Sequence, residues 1–215
     1  MAGQRIHLVR HGEVRNPDGL LYGRLPGFGL SDLGHRMARA AAQDLADRSV
    51  PATRLVASPL QRTQESAAPI AELLGLEPRL DERVMEPWNA FEGRTMHGPY
   101  SALKRPSSWR HLVNPLKPSW GEPYREVVAR MRAAVLDHAE LAQGGDVIVV
   151  THQMPIWMVH LALAKKPLVH NPKQRRCSLS SITTLEYHPA TGFVEIDYRD
   201  PAAPLAAGAV DQGAV

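Results

Sequence analysis

The chain has a single cysteine, Cys177, among 215 residues, so no disulfide can close within it and the sequence fits a reducing compartment. Long apolar runs are also missing. The opening segment MAGQRIHLVRHGE has no apolar stretch behind a basic one, and nothing approaches the roughly 20 apolar residues of a membrane span. A soluble, cytoplasmic protein without membrane partners is the expectation. Charge of one sign is scarce too, with 25 Lys and Arg against 22 Asp and Glu, a formal charge of +3. That excess favours anionic partners, but no basic run with interleaved aromatics gathers it, so nucleic acid binding is not expected. None of the ten histidines sits in a helical His-x-x-x-His pair with a carboxylate or beside cysteines at ligand spacing, so no metal site is expected. The 44% of hydrophobic residues suffices for one core. A single domain over residues 1–200 is expected, with an Ala, Gly and Pro tail over 201–215 expected to be disordered.

Periodicity then places the elements. Ile6 to Val9 reads as a strand, and Leu33, Met37, Ala41 and Leu45 recur every fourth residue of a helix starting at Ser31. Leu55 to Ala57 is a second strand, and Ser58-Pro59-Leu60-Gln61 resembles a capping box that starts a helix at Ser58 running to about Leu74. An extended piece follows around Pro78 to Val84. Glu86 to Gly121, rich in Pro, Trp and Gly, reads as a lid or substrate loop. Val127, Met131, Val135 and Leu141 mark a helix stopped by Gly144-Gly145. Val147 to Val150 is the most strand-like run, followed by a helix that tolerates Pro155 in its first turn. Ser180 to Tyr187 and Phe193 to Tyr198 read as an antiparallel strand pair. The fold class expected is α/β: a mostly parallel sheet with helices on both faces and an antiparallel strand near the C-terminus.

Ligands in such sheets bind at the carboxyl edge, and what leaves the three best strands is Arg10-His11-Gly12, Ser58 to Arg62, and Thr151-His152. Two arginines and two histidines should therefore meet, beside a helix start whose dipole favours an anion. A phosphate ester is the natural occupant. Neutral imidazole is nucleophilic, and arginines nearby keep His11 unprotonated. Arg10 and Arg62 offer planar donor forks to the oxygens where charge gathers, and His152 adds a hydrogen bond. Glu86, held extended by Pro87, is the candidate acid for the leaving oxygen.

In family order, Leu8-Val9-Arg10-His11-Gly12-Glu13, Ser58 to Thr63 and Val150-Thr151-His152 resemble the three motifs of the histidine phosphatase superfamily, which includes phosphoglycerate mutases and small phosphatases. Leu30-Ser31-Asp32-Leu33-Gly34 is similar to that family's first helix start, and the resemblance spans residues 5 to 198. It implies a phosphoglycerate mutase-like fold, His11 as phosphoryl carrier, Arg10, Arg62 and His152 completing the pocket, Glu86 as proton donor, and Asn16 touching phosphate. The family's asparagine falls one residue later, however. The spacing to Phe91-Glu92-Gly93 is one residue short, which leaves Glu82 and Glu92 as alternative acids. His152 is followed by Gln153 rather than glycine, so Gln153 is expected to donate to the phosphate.

The first expectation is thus a metal-independent, cofactor-free phosphomonoester hydrolase working through phosphohistidine on a small phosphorylated metabolite. A phosphoglycerate mutase and a non-catalytic phospho-ligand module are the alternatives, and the final strand pair could serve a homodimer. Lys165, Lys166, Lys173, Arg175 and Arg176 read as a solvated basic face, and His35, His111, His138 and His188 as surface residues.

Overall fold

A computed structural model describes residues 3–95, 101, 120–188 and 191–211. The described residues include strands β1 (Gln4–Arg10), β2 (Ala52–Ala57), β3 (Pro78–Leu80), β4 (Asp146–Thr151), β5 (Ile182–His188) and β6 (Gly192–Arg199). Their helices are α1 (Asp32–Asp47), α2 (Gln61–Leu74), α3 (Tyr124–Leu141) and α4 (Gln153–Leu163). The sheet order is β3-β2-β4-β1-β5-β6. The first four run parallel, and β5 and β6 add an antiparallel pair at one edge. This is the α/β arrangement expected.

Alternating side chains of the central strands explain why both sheet faces are covered. Val147 and Val149 of β4 face a core built with Val127 and Met131 of α3 and Ile156 and Met158 of α4. Ile148 and Val150 face the other core, with Ala41 and Leu45 of α1 and Ala67 and Ile70 of α2. The four-residue recurrence expected for the first helix is its buried stripe: Met37, Ala41 and Leu45 are buried. On α3, Leu141 is 60% exposed, while Ala134, His138 and Ala139 complete the inner face.

Two glycines fix how the first strand meets the first helix. A Cβ on Gly12 would lie 2.3 Å from the Gly34 carbonyl oxygen, and one on Gly34 would lie 2.0 Å from that of Glu13. Backbone packs on backbone there, and only glycine fits. Ser31 caps α1 by accepting from the Gly34 N–H at 2.9 Å, and its own N–H donates to the Glu13 carbonyl at 2.9 Å.

Three sequence expectations change. Helix α2 begins at Gln61 rather than Ser58 and has no side-chain cap, because the Ser58 hydroxyl lies against His152 instead, 2.9 Å from Nε2. His138 is buried, not on the surface: Nε2 lies 3.0 Å from Asp81 and Nδ1 accepts from Arg54 at 2.8 Å. Residues 201–211, expected as an unstructured tail, include a short 3-10 helix, Ala203–Gly208. Leu205 and Ala209 pack there against Met37, Leu179 and Ala202, which gives the segment an apolar anchor that its composition conceals. Among the described residues no helix is long and apolar enough to cross a membrane.

Candidate active site

Arg10 ends β1 and His11 follows it; register pairs Arg10 with Thr151, the last residue of β4, so His152 arrives beside His11. Backbone bonds lace the strand ends together: the His11 N–H donates to Thr151 at 3.1 Å and the Ser58 N–H to Val150 at 3.0 Å. The His11 and His152 rings stand 5.2 Å apart between centroids, inclined at 63°. Arg62, in the first turn of α2, lies 4.7 Å above the Tyr22 ring and donates from Nη2 to the Gly23 carbonyl at 2.7 Å. Arg10, His11, Arg62 and His152 are each at most 1% exposed.

The tautomer of His11 follows from its partner. Nδ1 lies 2.7 Å from the Gly12 carbonyl, which can only accept, so Nδ1 carries the hydrogen and Nε2 keeps its lone pair. Burial, then Arg62 and Arg10, hold its pKa well below the ordinary imidazole value. Burial, followed by Arg62, does the same to His152. A neutral, singly oriented imidazole between two guanidinium groups is equipped as a nucleophile toward an anionic centre.

Glu86 enters from the segment after β3. The Thr151 hydroxyl donates to the Val84 carbonyl at 2.6 Å and Arg24 Nε to the Glu86 carbonyl at 2.6 Å, so both ends of that segment are tied. Its carboxylate is 3.8 Å from His152 Nδ1 and buried. Burial raises its pKa, an effect that Arg62, Arg175 and Arg10 oppose without cancelling. Of the two other glutamates weighed for this position, Glu82 is exposed in the 3-10 turn Glu82–Val84. The Glu92 carboxylate accepts from the Arg24 and Asn89 N–H groups, both at 3.1 Å. Neither stands beside the histidines as Glu86 does.

Asn16 and Gln153 are placed differently from the first four. Asn16 spends both ends of its amide on Leu20, donating to its carbonyl at 2.8 Å and accepting from its N–H at 3.0 Å, which makes it a loop staple in this conformation. Gln153 accepts from Arg175 at 3.1 Å, and its amide lies 3.4 Å from the Cys177 carbonyl. Arg175 is turned inward rather than lying on a solvated face, with Nε donating to His170 at 2.9 Å. Residues 96–100 and 102–119 of the expected lid or substrate loop, His111 among them, lie outside the described residues.

Sequence reasoning overlooked Tyr22, which backs Arg62, and Ser66, whose hydroxyl accepts from the Gly12 N–H at 3.1 Å. It also overlooked Asp211, which pairs with Arg10. Nothing local marks them, because each acts through a partner far away in sequence. Buried polar atoms without a hydrogen-bond partner among the described residues include Arg10 Nε, Arg62 Nε, His152 Nδ1 and Glu86 Oε1. Leaving such atoms unpaired is costly, and a tetrahedral oxyanion supplies acceptors for the three nitrogens.

A mostly parallel sheet that presents paired histidines and arginines at its carboxyl edge defines the histidine phosphatase class. The model of the histidine phosphatase superfamily (branch 1) matches residues 6–196, and the chain belongs to that superfamily. An uncharacterized protein of Mycobacterium tuberculosis, Rv0525, is 47% identical over 199 residues, covering 93% of this chain and 97% of its own. A probable phosphoglycerate mutase, GpmB of an Enterobacter species, is 29% identical over 83% of this chain and 84% of its own. Among solved structures, the mycobacterial glucosyl-3-phosphoglycerate phosphatase Rv2419c superposes with a TM-score of 0.71 at 27% identity, covering 92% of this chain and 96% of that one.

Proposed function

We propose that this chain is a cytoplasmic enzyme that hydrolyses small phosphomonoesters through a phosphohistidine on His11, without a metal ion. The observation that carries the reading is the oriented, neutral His11 flanked by two buried arginines, with a carboxyl of raised pKa beside His152. In the first step His11 Nε2 attacks phosphorus and the ester P–O bond breaks, while Glu86 gives its proton to the leaving oxygen. Arg10, Arg62 and His152 bear the charge on the remaining phosphoryl oxygens. In the second step the Glu86 carboxylate takes a proton from water, the water oxygen attacks phosphorus, the P–N bond breaks and phosphate leaves.

Hydrolysis ranks ahead of mutase chemistry because the paired-arginine stretch that distinguishes the mutases has no clear counterpart between Glu86 and Gly121. The mutase reading draws on the likeness to the probable phosphoglycerate mutase. The likeness to a glucosyl-3-phosphoglycerate phosphatase makes phosphorylated sugar acids the first substrates to try. The same proposal pairs two copies along β6, where Val194 and Ile196 are 47% and 45% exposed; sedimentation velocity tests that part.

The decisive experiment runs a phosphomonoester panel beside an assay for interconversion of 2- and 3-phosphoglycerate primed with bisphosphoglycerate, with His11→Ala as control. Turnover of panel members with an acid-labile phosphoenzyme, both lost in His11→Ala, is the result expected. Interconversion outpacing hydrolysis would establish the mutase. Phosphate binding without turnover or phosphoenzyme would leave only a binding module.

A further inference from the structure

After β6 the chain turns back toward the site. Its 3-10 helix Ala203–Gly208 rests on the apolar cluster that contains Met37 and Leu33 of α1. The Val210 N–H then donates to Glu13 at 2.6 Å, and Glu13 is itself fixed by the Ser31 hydroxyl. One residue further, the Asp211 carboxylate takes both ends of the Arg10 fork, accepting from Nη1 at 2.8 Å and from Nη2 at 2.5 Å. Arg10 Nη1 also donates to the Cys177 carbonyl at 2.6 Å. Both Nη1 hydrogens are thereby used, with one of the two on Nη2. The remaining donors of this planar group, Nε–H and the second Nη2–H, lie together on its other edge, and Nε is buried with no partner among the described residues.

We infer that Asp211 is a positioning residue for phosphoryl transfer: it clamps the outer edge of Arg10 so that the Nε edge is presented to the phosphoryl oxygens. The inference rests on the phosphoryl-transfer reading of this site. A carboxylate occupying the phosphate's own place would satisfy the other buried donors as well. Asp211 pairs with neither Arg62 Nε nor His152 Nδ1, which have no hydrogen-bond partner among the described residues. Its side chain is 41% exposed at the rim, whereas Arg10 is fully buried. Burial also disfavours a charged guanidinium, and the Asp211 carboxylate, aided by Cys177 and Tyr22, more than offsets that, so Arg10 titrates above its ordinary range. The clamp therefore orients the fork and balances its buried charge.

The test uses the full chain with Asp211→Ala, Asp211→Asn and Asp211→Glu. Inorganic phosphate binding is titrated by calorimetry, kcat and KM are measured on the phosphomonoester that wild type turns over best, and melting is followed for each variant. The clamp predicts that Ala and Asn weaken phosphate binding and lower kcat by roughly tenfold, as for loss of a charged hydrogen-bond pair. Melting should be nearly unchanged, and Glu should recover most of the loss. Tighter phosphate binding or a lower KM in Asp211→Ala would make the carboxylate a competitor and overturn the clamp, as would unchanged binding and kinetics. Collapse of melting in all three would make Asp211 a purely structural residue, with the same consequence. If wild type binds phosphate but turns nothing over, the hydrolase reading fails while the titration still decides the clamp.

Discussion

Replacing Glu86 by glutamine removes one ionisable proton while keeping the size of a side chain that is 3% exposed, so its effect on rate reports proton transfer rather than packing. General acid assistance is worth about 10² to 10⁴ in rate, or roughly 2.7–5.5 kcal/mol of barrier. An alkyl phosphomonoester, whose alkoxide is a poor leaving group, should lose about that much kcat/KM in Glu86→Gln, the parameter that reports the steps up to alcohol release and excludes the shared hydrolysis of the phosphoenzyme. Nitrophenyl phosphate departs as a stabilised anion and should lose no more than about tenfold, since the acid contributes little to that step. The pH profile carries a second signature. Glu86 must be protonated to act, and burial raises its pKa above the ordinary carboxylate value. Wild-type kcat/KM on alkyl esters, which reports the phosphorylation step, should therefore fall as pH rises through that raised pKa, and the limb should vanish in Glu86→Gln, whose amide cannot titrate. The assay is steady-state kinetics on both esters across pH, with melting as a control for folding. Equal losses on the two esters, or an alkaline limb that survives the substitution, would refute the assignment of the acid.

Metal removal separates this chemistry from that of metal phosphatases: activity measured after EDTA dialysis should stay within error of the untreated enzyme, since arginines and His152 bear the charge in the proposed mechanism. Stability should fall on acidification from about neutral pH. His11 and His152 titrate below the ordinary value of 6.5 in the folded chain because of burial and the neighbouring arginines. The unfolded chain thus binds more protons between the folded and unfolded pKa values, and stability rises with pH through that window. It is fully present above about 6.5 and lost as pH falls toward the folded pKa. Melting from pH 5 to 8 should show this slope, and replacing both histidines by asparagine should reduce it to the part contributed by His138 and His170, whose pKa values burial also lowers. Gly12→Ala should cost about 3 kcal/mol and lower the melting midpoint by roughly 6–12 °C, because its Cβ would meet the Gly34 carbonyl oxygen at 2.3 Å. Gly208→Ala, whose Cβ meets only Leu33 at 3.9 Å, is the control.

The part of the site that was legible in the sequence is the part set by strand ends. β1, β2 and β4 announce themselves by short apolar runs, parallel pairing brings their ends to one edge, and Arg10, His11, Arg62 and His152 follow from that topology alone. The residues misread or missed obey a different rule. Ser58 carries a cap-like pattern, yet its hydroxyl lies against His152, 94 positions away. His138 resembles a surface histidine of an amphipathic helix until the contact with Asp81, 57 positions away, buries it.

Asp211 is the extreme case, since it reaches Arg10 across 201 positions from a stretch whose Ala, Gly and Pro composition reads as tail. Local patterns report what a segment does to its own backbone, and a carboxylate that pairs with a residue at the other end of the chain leaves no such mark. The guanidinium does leave one. A buried arginine at a strand end needs acceptors for five N–H groups, and among the described residues the Cys177 carbonyl is the one backbone acceptor of the Arg10 side chain. Burial of Arg10 therefore calls for more acceptors than its neighbours at the strand end supply, and a bound phosphate on one edge and the Asp211 carboxylate on the other both answer that need.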